Sequence, residues 1–456
     1  MVDNVSDDDF TPAELARRDT ERIAGYRQLL DHYRGRHWEG RERRGEKRLT
    51  LNYAKVFIDK VASYLMSGVT VAVDSQQDTE EARAQAQLAE VALRRIYEEN
   101  NLEQLDLETE IDCGILGDAC YKVTWDQDAR RVRVTAPDVQ GVYAWWAGDD
   151  MARVRRVVSK YRLDAPSASL LYGVQPRAET TEVVEVWTAR DFELWVDNAV
   201  IDRKPNPYGF IPFVIYPNLR EPKKFWGVSD LVSLMEPQRE LNRAISQLSK
   251  ILELSGNPIA VLENVEESED IAVTPGAVWN IPEDAKAYLL DLLQGGGVGL
   301  HMDYINLLYR ALHDLSESPR VAFGQTERDL SGVALETELQ PLLQKVRRKR
   351  LIRASAYSQR NRMALRLVEK YLGEHFGDIH LRVVWGPMLP YDLAKMVANE
   401  QALVQSGIHS RRRAMDELGV QDPEAEFQRW LEERSTILKM NRVLSPKGGR
   451  GATTEE

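Results

Sequence analysis

The chain has 456 residues, 43% apolar and 29% charged, and its 60 Lys and Arg against 72 Asp and Glu leave a formal net charge of −12. That length has room for more than one domain and that composition can build real cores, while the acidic balance argues against a protein that grips nucleic acid through an overall basic surface. No apolar run approaches the roughly 18 residues of a membrane span, and Cys113 and Cys120, the only two cysteines, fit a reducing compartment and supply neither a disulfide framework nor a Cys-based zinc site.

Residues 1–10 are acidic, lack a signal peptide's basic-then-apolar order, and read as disordered. Thr11-Pro12-Ala13-Glu14 reads as a helix start, with Thr11 at the cap, and predicts a helix to about Arg36. Asn52 to Met66 reads as a second helix, with Val56, Ile58, Val61 and Leu65 mostly on one face, and 79–99 and 102–117 as two more. From Cys120 the period becomes two: Tyr121, Val123 and Trp125, a turn at Asp126-Gln127-Asp128, then Val132 and Val134. Short strands at 142–147, 153–162, 182–188 and 192–196 extend an antiparallel region over about 120–216, closed by Asn206-Pro207-Tyr208-Gly209 and by Pro212 to Pro217.

Leu234, Leu241, Ile245, Leu248 and Leu252 then mark one face of a long helix, and Arg239, Asn242, Arg243, Ser246 and Lys250 its polar face. Pro237 implies a kink or a restart, and Gly256-Asn257-Pro258 a stop. Residues 259–293 read as a β-rich insert with strands at Ile259 to Leu262 and Ala277 to Ile281 and a turn at Thr274-Pro275-Gly276. A helix resumes after Gly299, with Ile305, Leu308, Leu312 and Leu315 in step. Ser316 to Gly332 is a seventeen-residue loop, too long to be a bare connector and apolar at Val321-Ala322-Phe323. A helix from Val333 to Leu372 would span about 60 Å, with a kink at Pro341. Ile379 to Trp385 reads as a strand, 391–438 as a final helical unit turning at Gly407 and at Val420 to Pro423, and the tail from Lys439 as disordered.

The charge is unevenly placed: Gln340 to Val368 holds nine Lys or Arg and no acid, whereas Gly256 to Gln294 holds eight Asp or Glu and one Lys. The basic run Lys345, Arg347, Arg348, Lys349, Arg350 and Arg353, continued by Arg360, Arg362 and Arg366, has two readings, phosphate contact or a subunit interface facing acidic neighbours. Charges pointing all round a helix favour the interface. Gly295-Gly296-Gly297-Val298-Gly299 is followed by Leu300-His301 where a phosphate loop needs Lys and Ser or Thr, so it reads as a hinge. His375 and His380, or His301 and His313, complete no metal set, no Gly-x-Ser-x-Gly stands in the chain, and Glu108, Glu110 and Asp112 read as surface helix charge. Nothing here calls for a catalytic residue, a metal or a cofactor.

Several segments in order resemble a tailed-bacteriophage portal protein, from Leu51 to about Arg434. They are Pro212-Phe213-Val214-Ile215-Tyr216-Pro217-Asn218, Trp226-Gly227-Val228-Ser229-Asp230-Leu231 leading into Gln238-Arg239-Glu240-Leu241-Asn242, Pro275-Gly276-Ala277-Val278-Trp279, and Leu330-Ser331-Gly332-Val333-Ala334-Leu335. Each is weak alone; their order is specific. The resemblance implies an α+β, mainly α, multi-domain ring subunit. Its wing would be 1–226 and 319–390, its stem 227–255 and 296–318, its clip 256–295 and its crown 391–438. It implies a ring, usually of twelve copies, around a channel for double-stranded DNA at one capsid vertex. A tunnel loop at 319–332 would bring Arg320, Val321, Phe323, Gln325, Arg328 and Asp329 to the channel. The acidic clip, with Glu263, Glu266, Glu267, Glu269, Asp270 and Trp279, would dock the terminase large subunit and later the head-completion or adaptor proteins. Major capsid and scaffolding proteins would be further partners. The place would be the virion, after assembly in the bacterial host cytoplasm, without a membrane and without catalysis. The alternatives are a DNA-processing enzyme of the packaging machinery, an ATPase or nuclease, and a monomeric helical adaptor.

Overall fold

A computed structural model of the chain describes residues 11–44, 46–176, 178–256, 259–263, 286–290, 297–324, 332–389, 393–420 and 423–444. Helix makes up 51% and strand 22%, an α+β class. The chain divides into two compact units, Met1–Gly386 and Pro387–Glu456.

The single helix expected from Thr11 is two pieces, a 3-10 turn at Pro12–Ala16 and α1 (Thr20–Tyr33), broken where Asp19 adopts a left-handed φ of 54°. Tertiary contact outweighs local propensity there: Leu15 is buried, and the Arg18 guanidinium lies 4.1 Å from the Trp145 ring and donates to the Ala144 carbonyl. Asn52 caps α2 (Tyr53–Leu65) and Thr79 caps α3 (Glu80–Glu99), each side chain accepting a backbone N–H three residues on. Left-handed Asn101 then separates α3 from α4 (Leu102–Leu116). Between α2 and α3 lies a strand that the sequence reading passed over, β1 (Val69–Ser75).

Three strands, β2 (Asp118–Asp126), β3 (Arg131–Thr135) and β9 (Phe213–Pro217), form an antiparallel sheet in the order β3-β2-β9. β9 is the segment expected to be punctuation; its flanking prolines sit at the ends of an edge strand, where a missing N–H costs little. The strands between them, β4 (Val142–Ala147), β5 (Asp150–Asp164), β6 (Thr180–Thr188), β7 (Asp191–Val196) and β8 (Ala199–Pro205), make a five-stranded meander, with α5 (Ala165–Tyr172) between β5 and β6. β8 was not expected; Asp197 and Asn198, both with positive φ, make the tight turn that returns it along β7.

α6 (Met235–Gly256) has Pro237 as its third residue, so the helix restarts there rather than kinking. β10 (Ile259–Glu263) pairs with β11 (Lys286–Leu290). α7 (Gly297–Ser316) starts three residues before its expected place and is followed by a 3-10 turn, Arg320–Phe323. α8 (Gly332–Leu372) is assigned as one helix of 41 residues through Pro341. β12 (Ile379–Trp385) pairs antiparallel with β1 along its whole length, joining the two ends of this unit. The main core lies between α3, α8 and the three-stranded sheet, with Ala89, Leu93, Tyr121, Val123, Leu365 and Val368 buried in it.

The second unit holds α9 (Leu393–Gln405), α10 (Arg411–Glu417), capped by Ser410, and α11 (Pro423–Leu444), which runs past the expected end at 438. Arg411 and Arg434 lie over the Trp430 ring and Arg412 over Phe427. The tail expected to be disordered from Lys439 is helical as far as Leu444, and the rest of it, residues 1–10, the strand at 277–281 and the turn at 274–276 lie outside the described residues.

Candidate functional site

Three of the segments that carry the family resemblance, 212–218, 226–231 and 238–242, come together at the root of α6. Gly117, at the end of α4, has a φ of +94°, and a Cβ there would stand 2.7 Å from the Ser229 nitrogen; Gly227 approaches from the other side, so the two backbones cross in contact. Asn218 donates its N–H to the Gly117 carbonyl and its amide to the Val228 carbonyl. The Ser229 hydroxyl donates to the carbonyls that end α4, at Gly114 and Ile115, and accepts the Leu231 N–H. Trp226 lies under the Arg22 guanidinium at 3.7 Å. The crossing aims Asp230 at α8.

There the basic helix turns inward. Lys345 and Lys349 both pair with Asp230, Lys345 at 3.1 Å, and all three are buried. Burial pushes the Asp230 carboxyl up, but the two ammonium groups outweigh it and hold the acid well below the usual range. Arg353 is fully buried: its Nε meets Glu110 at 2.9 Å and its other nitrogens reach the Asn218 carbonyl, the Asn218 side chain and the Cys113 sulfur. Glu110 also accepts from Tyr216 and Tyr357. Arg360 pairs with Asp106 between the rings of Tyr121 and Tyr357. Arg350 donates to the carbonyls of Tyr64, Leu65 and Ser67, capping the end of α2.

This corrects two expectations. Lys345, Lys349, Arg350 and Arg353 face neither DNA nor a neighbour; the chain's own carboxylates and carbonyls use them. Glu110 is not surface charge. The spacing held the signal, since 345, 349, 353 and 360 are 4, 4 and 7 apart, one stripe of a helix. Arg347, Arg348, Arg362 and Arg366 lie on the exposed side, where Arg348 meets Glu317 at 2.7 Å.

The polar face of α6 is also partly buried. Side chains at 238, 242 and 246 accept the backbone N–H groups of Tyr53, Leu51 and Leu49, at 3.1, 3.0 and 2.9 Å, so an extended segment is hydrogen-bonded to the flank of a helix. Asn242 further donates to Nδ1 of His37, whose Nε2 donates to the His32 carbonyl. Burial pushes the His37 imidazole pKa down.

α6 and α7 pack as a hairpin. Ile305, Leu308 and Leu312 join Phe57, Leu234 and Leu241. An adjoining stripe of α7, about a quarter-turn round the helix, Leu300, Tyr304, Leu307 and Leu315, is exposed, Leu300 at 74% and Leu307 at 61%. Leu315 therefore leaves the packed face on which it was expected.

Of the expected loop residues, Phe323 packs edge-on against Phe57 at 5.6 Å and His313 at 5.4 Å, and Arg320 lies over the Tyr309 ring at 4.8 Å. Val321 is half-buried in the same turn. Phe323 is thus an anchor on the chain's own aromatic cluster rather than a projecting side chain. Gln325, Arg328 and Asp329 lie outside the described residues, as do Glu266, Glu267, Glu269, Asp270 and Trp279. Glu263 is exposed on β10. Among the described residues no cluster of His, Cys, Asp and Glu could hold a metal ion, and no helix is long and apolar enough to cross a membrane.

No curated protein matches the chain. The family described as phage portal protein, SPP1 Gp6-like, matches residues 13–440, a span that includes the Asp230 crossing, the α6–α7 hairpin and the second unit as far as residue 440. The chain therefore belongs to the SPP1 Gp6-like family of phage portal proteins.

Proposed function

We propose that about twelve copies of this chain form a closed ring at one capsid vertex and enclose a channel for double-stranded DNA during packaging and ejection. In this reading α6 and α7 are the stem and β10–β11 belongs to the clip, which docks the terminase large subunit and then the head-completion proteins. The meander and the α8 core form the wing, 391–438 the crown, and 319–332 the tunnel loop. The ring is a structural conduit of the virion, assembled in the host cytoplasm, with no catalysis of its own.

The observation that carries the reading is the second apolar stripe of α7. A helix apolar on two faces needs cover on both, and α6 and Phe57 cover only one. A neighbour in a ring covers the other. The purified chain is expected to weigh as a ring by mass photometry, and L300E/L307E as a monomer with an unchanged melt. A chain that stays monomeric under all conditions, or a double variant that still closes rings, overturns the proposal.

A further inference from the structure

Beside the ladder on α6 runs a groove of about 700 Å³ between residues 37–48 and the helix, lined by eight Lys or Arg and by two carboxylates, Glu39 and Glu46. Arg41, Arg43, Arg44 and Lys47 stand on one wall, Arg239 and Arg243 on the other. In a chain of net charge −12 this is a local excess of positive charge, in which Lys47 also meets Glu253 at 3.7 Å and Arg243 meets Glu240 at 3.6 Å. Among the described residues no carboxylate pairs with the exposed Arg41, Arg43 or Arg44 side chains, whereas Glu39 meets Arg239 at 3.2 Å and Glu46 meets Arg48 at 3.0 Å.

We propose that this groove holds the phosphate edge of a DNA strand. Six of its eight cations are Arg, whose planar fork grips phosphate oxygens two at a time. The arm is fixed rather than trailing: Arg48 donates to the Gly40 and Arg41 carbonyls, and the Trp38 ring lies 5.4 Å from the Arg48 guanidinium. Glu39 also lines the groove and, paired with Arg239, competes with the ligand for it. The groove deepens the portal reading by placing DNA phosphates on an element outside the tunnel loop, and it rests on that reading only for why DNA is at hand.

The test uses the full chain and a short labelled duplex, with anisotropy read at about 50 and about 200 mM salt. If Arg41, Arg43 and Arg44 neutralise about three phosphates, affinity should fall about 40-fold between the two salts. R41A/R43A/R44A should lose most of that dependence. E39Q should bind more tightly than the native chain, a gain that a misfolded variant cannot give. R362A/R366A, on the exposed face of α8, should change nothing. Native affinity in the triple variant overturns the groove, and so does polyglutamate competing as well as the duplex, which would make it a site for an acidic protein. Mass photometry of the same samples separates the two proposals: rings with no groove effect sink the groove alone, and a groove effect without rings sinks the ring alone.

Discussion

Replacing Asp230 by Asn tests the crossing at the root of α6. The substitution keeps the shape and removes the charge, leaving Lys345, Lys349 and Arg353 as neighbouring cations in one buried site. Side-chain exposure is 4% for Asp230, 5% for Lys345 and 2% for Lys349, so water cannot screen them. Breaking such a site by removing one partner costs about 3–5 kcal/mol. Unfolding entropy of about 2.1 cal/mol/K per residue gives a unit of this size about 0.8 kcal/mol/K, so the loss should lower the melting temperature by about 5 °C. Calorimetry of the full chain near neutral pH reads it. The folded-state pKa of Asp230 is depressed, so its stabilising contribution is present above the ordinary carboxylate range and is lost only as pH falls through the lowered value. The two proteins should therefore differ at neutral pH and converge in strong acid. Removing all three charges in D230L/K345M/K349M should recover most of the loss, because apolar isosteres carry no desolvation cost. A D230N melt within about 1 °C of the native chain would refute the reasoning.

Asp118 behaves oppositely: burial pushes its carboxyl up to about 6 despite the Tyr26 hydroxyl at 2.6 Å and the Gly227 N–H at 2.7 Å. A raised folded-state pKa gives stability that is full below the unfolded value and lost as pH rises through the folded one. The native chain should lose stability on this account between about pH 4 and pH 7, whereas D118N should not; parallel melting curves would contradict this. F323A should cost about 2 kcal/mol, less than a fully buried Phe because the ring is half-exposed, and should speed proteolytic cleavage near Arg320. Unchanged urea midpoint and cleavage rate would show that the 3-10 turn is held by something else.

The helices were legible because their packed faces repeat locally: 102–116, 53–65 and 235–256 fall within a few residues of expectation. β12 was legible from its own apolar run and β1 was not, since a pairing across some three hundred residues cannot be inferred from a short window around one partner. The resemblance marked Asn218, Gly227, Ser229, Asp230, Gln238 and Asn242 without saying what they do; the structure shows that they build one crossing and one ladder. The basic helix was misread because its charges were taken as one set pointing all round, and the inward stripe at 345, 349, 353 and 360 was not separated from the exposed 347, 348, 362 and 366. The arm at 37–48 was passed over, although Arg-Glu-Arg-Arg-Gly-Glu-Lys-Arg from 41 to 48 is a basic cluster in an acidic chain.

The ladder between 49–53 and α6 behaves as a vernier. Two extended residues advance about 6.7 Å and four helical residues about 6.0 Å, so each rung drifts by about 0.7 Å. Three rungs stay within hydrogen-bonding tolerance, and a fourth would be about 2 Å out of step. Sliding the helix by one residue would break all three together, so the joint is either in register or open, with no intermediate creep. An axial push on α6 is thus handed directly to Tyr53, the first residue of α2, and from there along that helix.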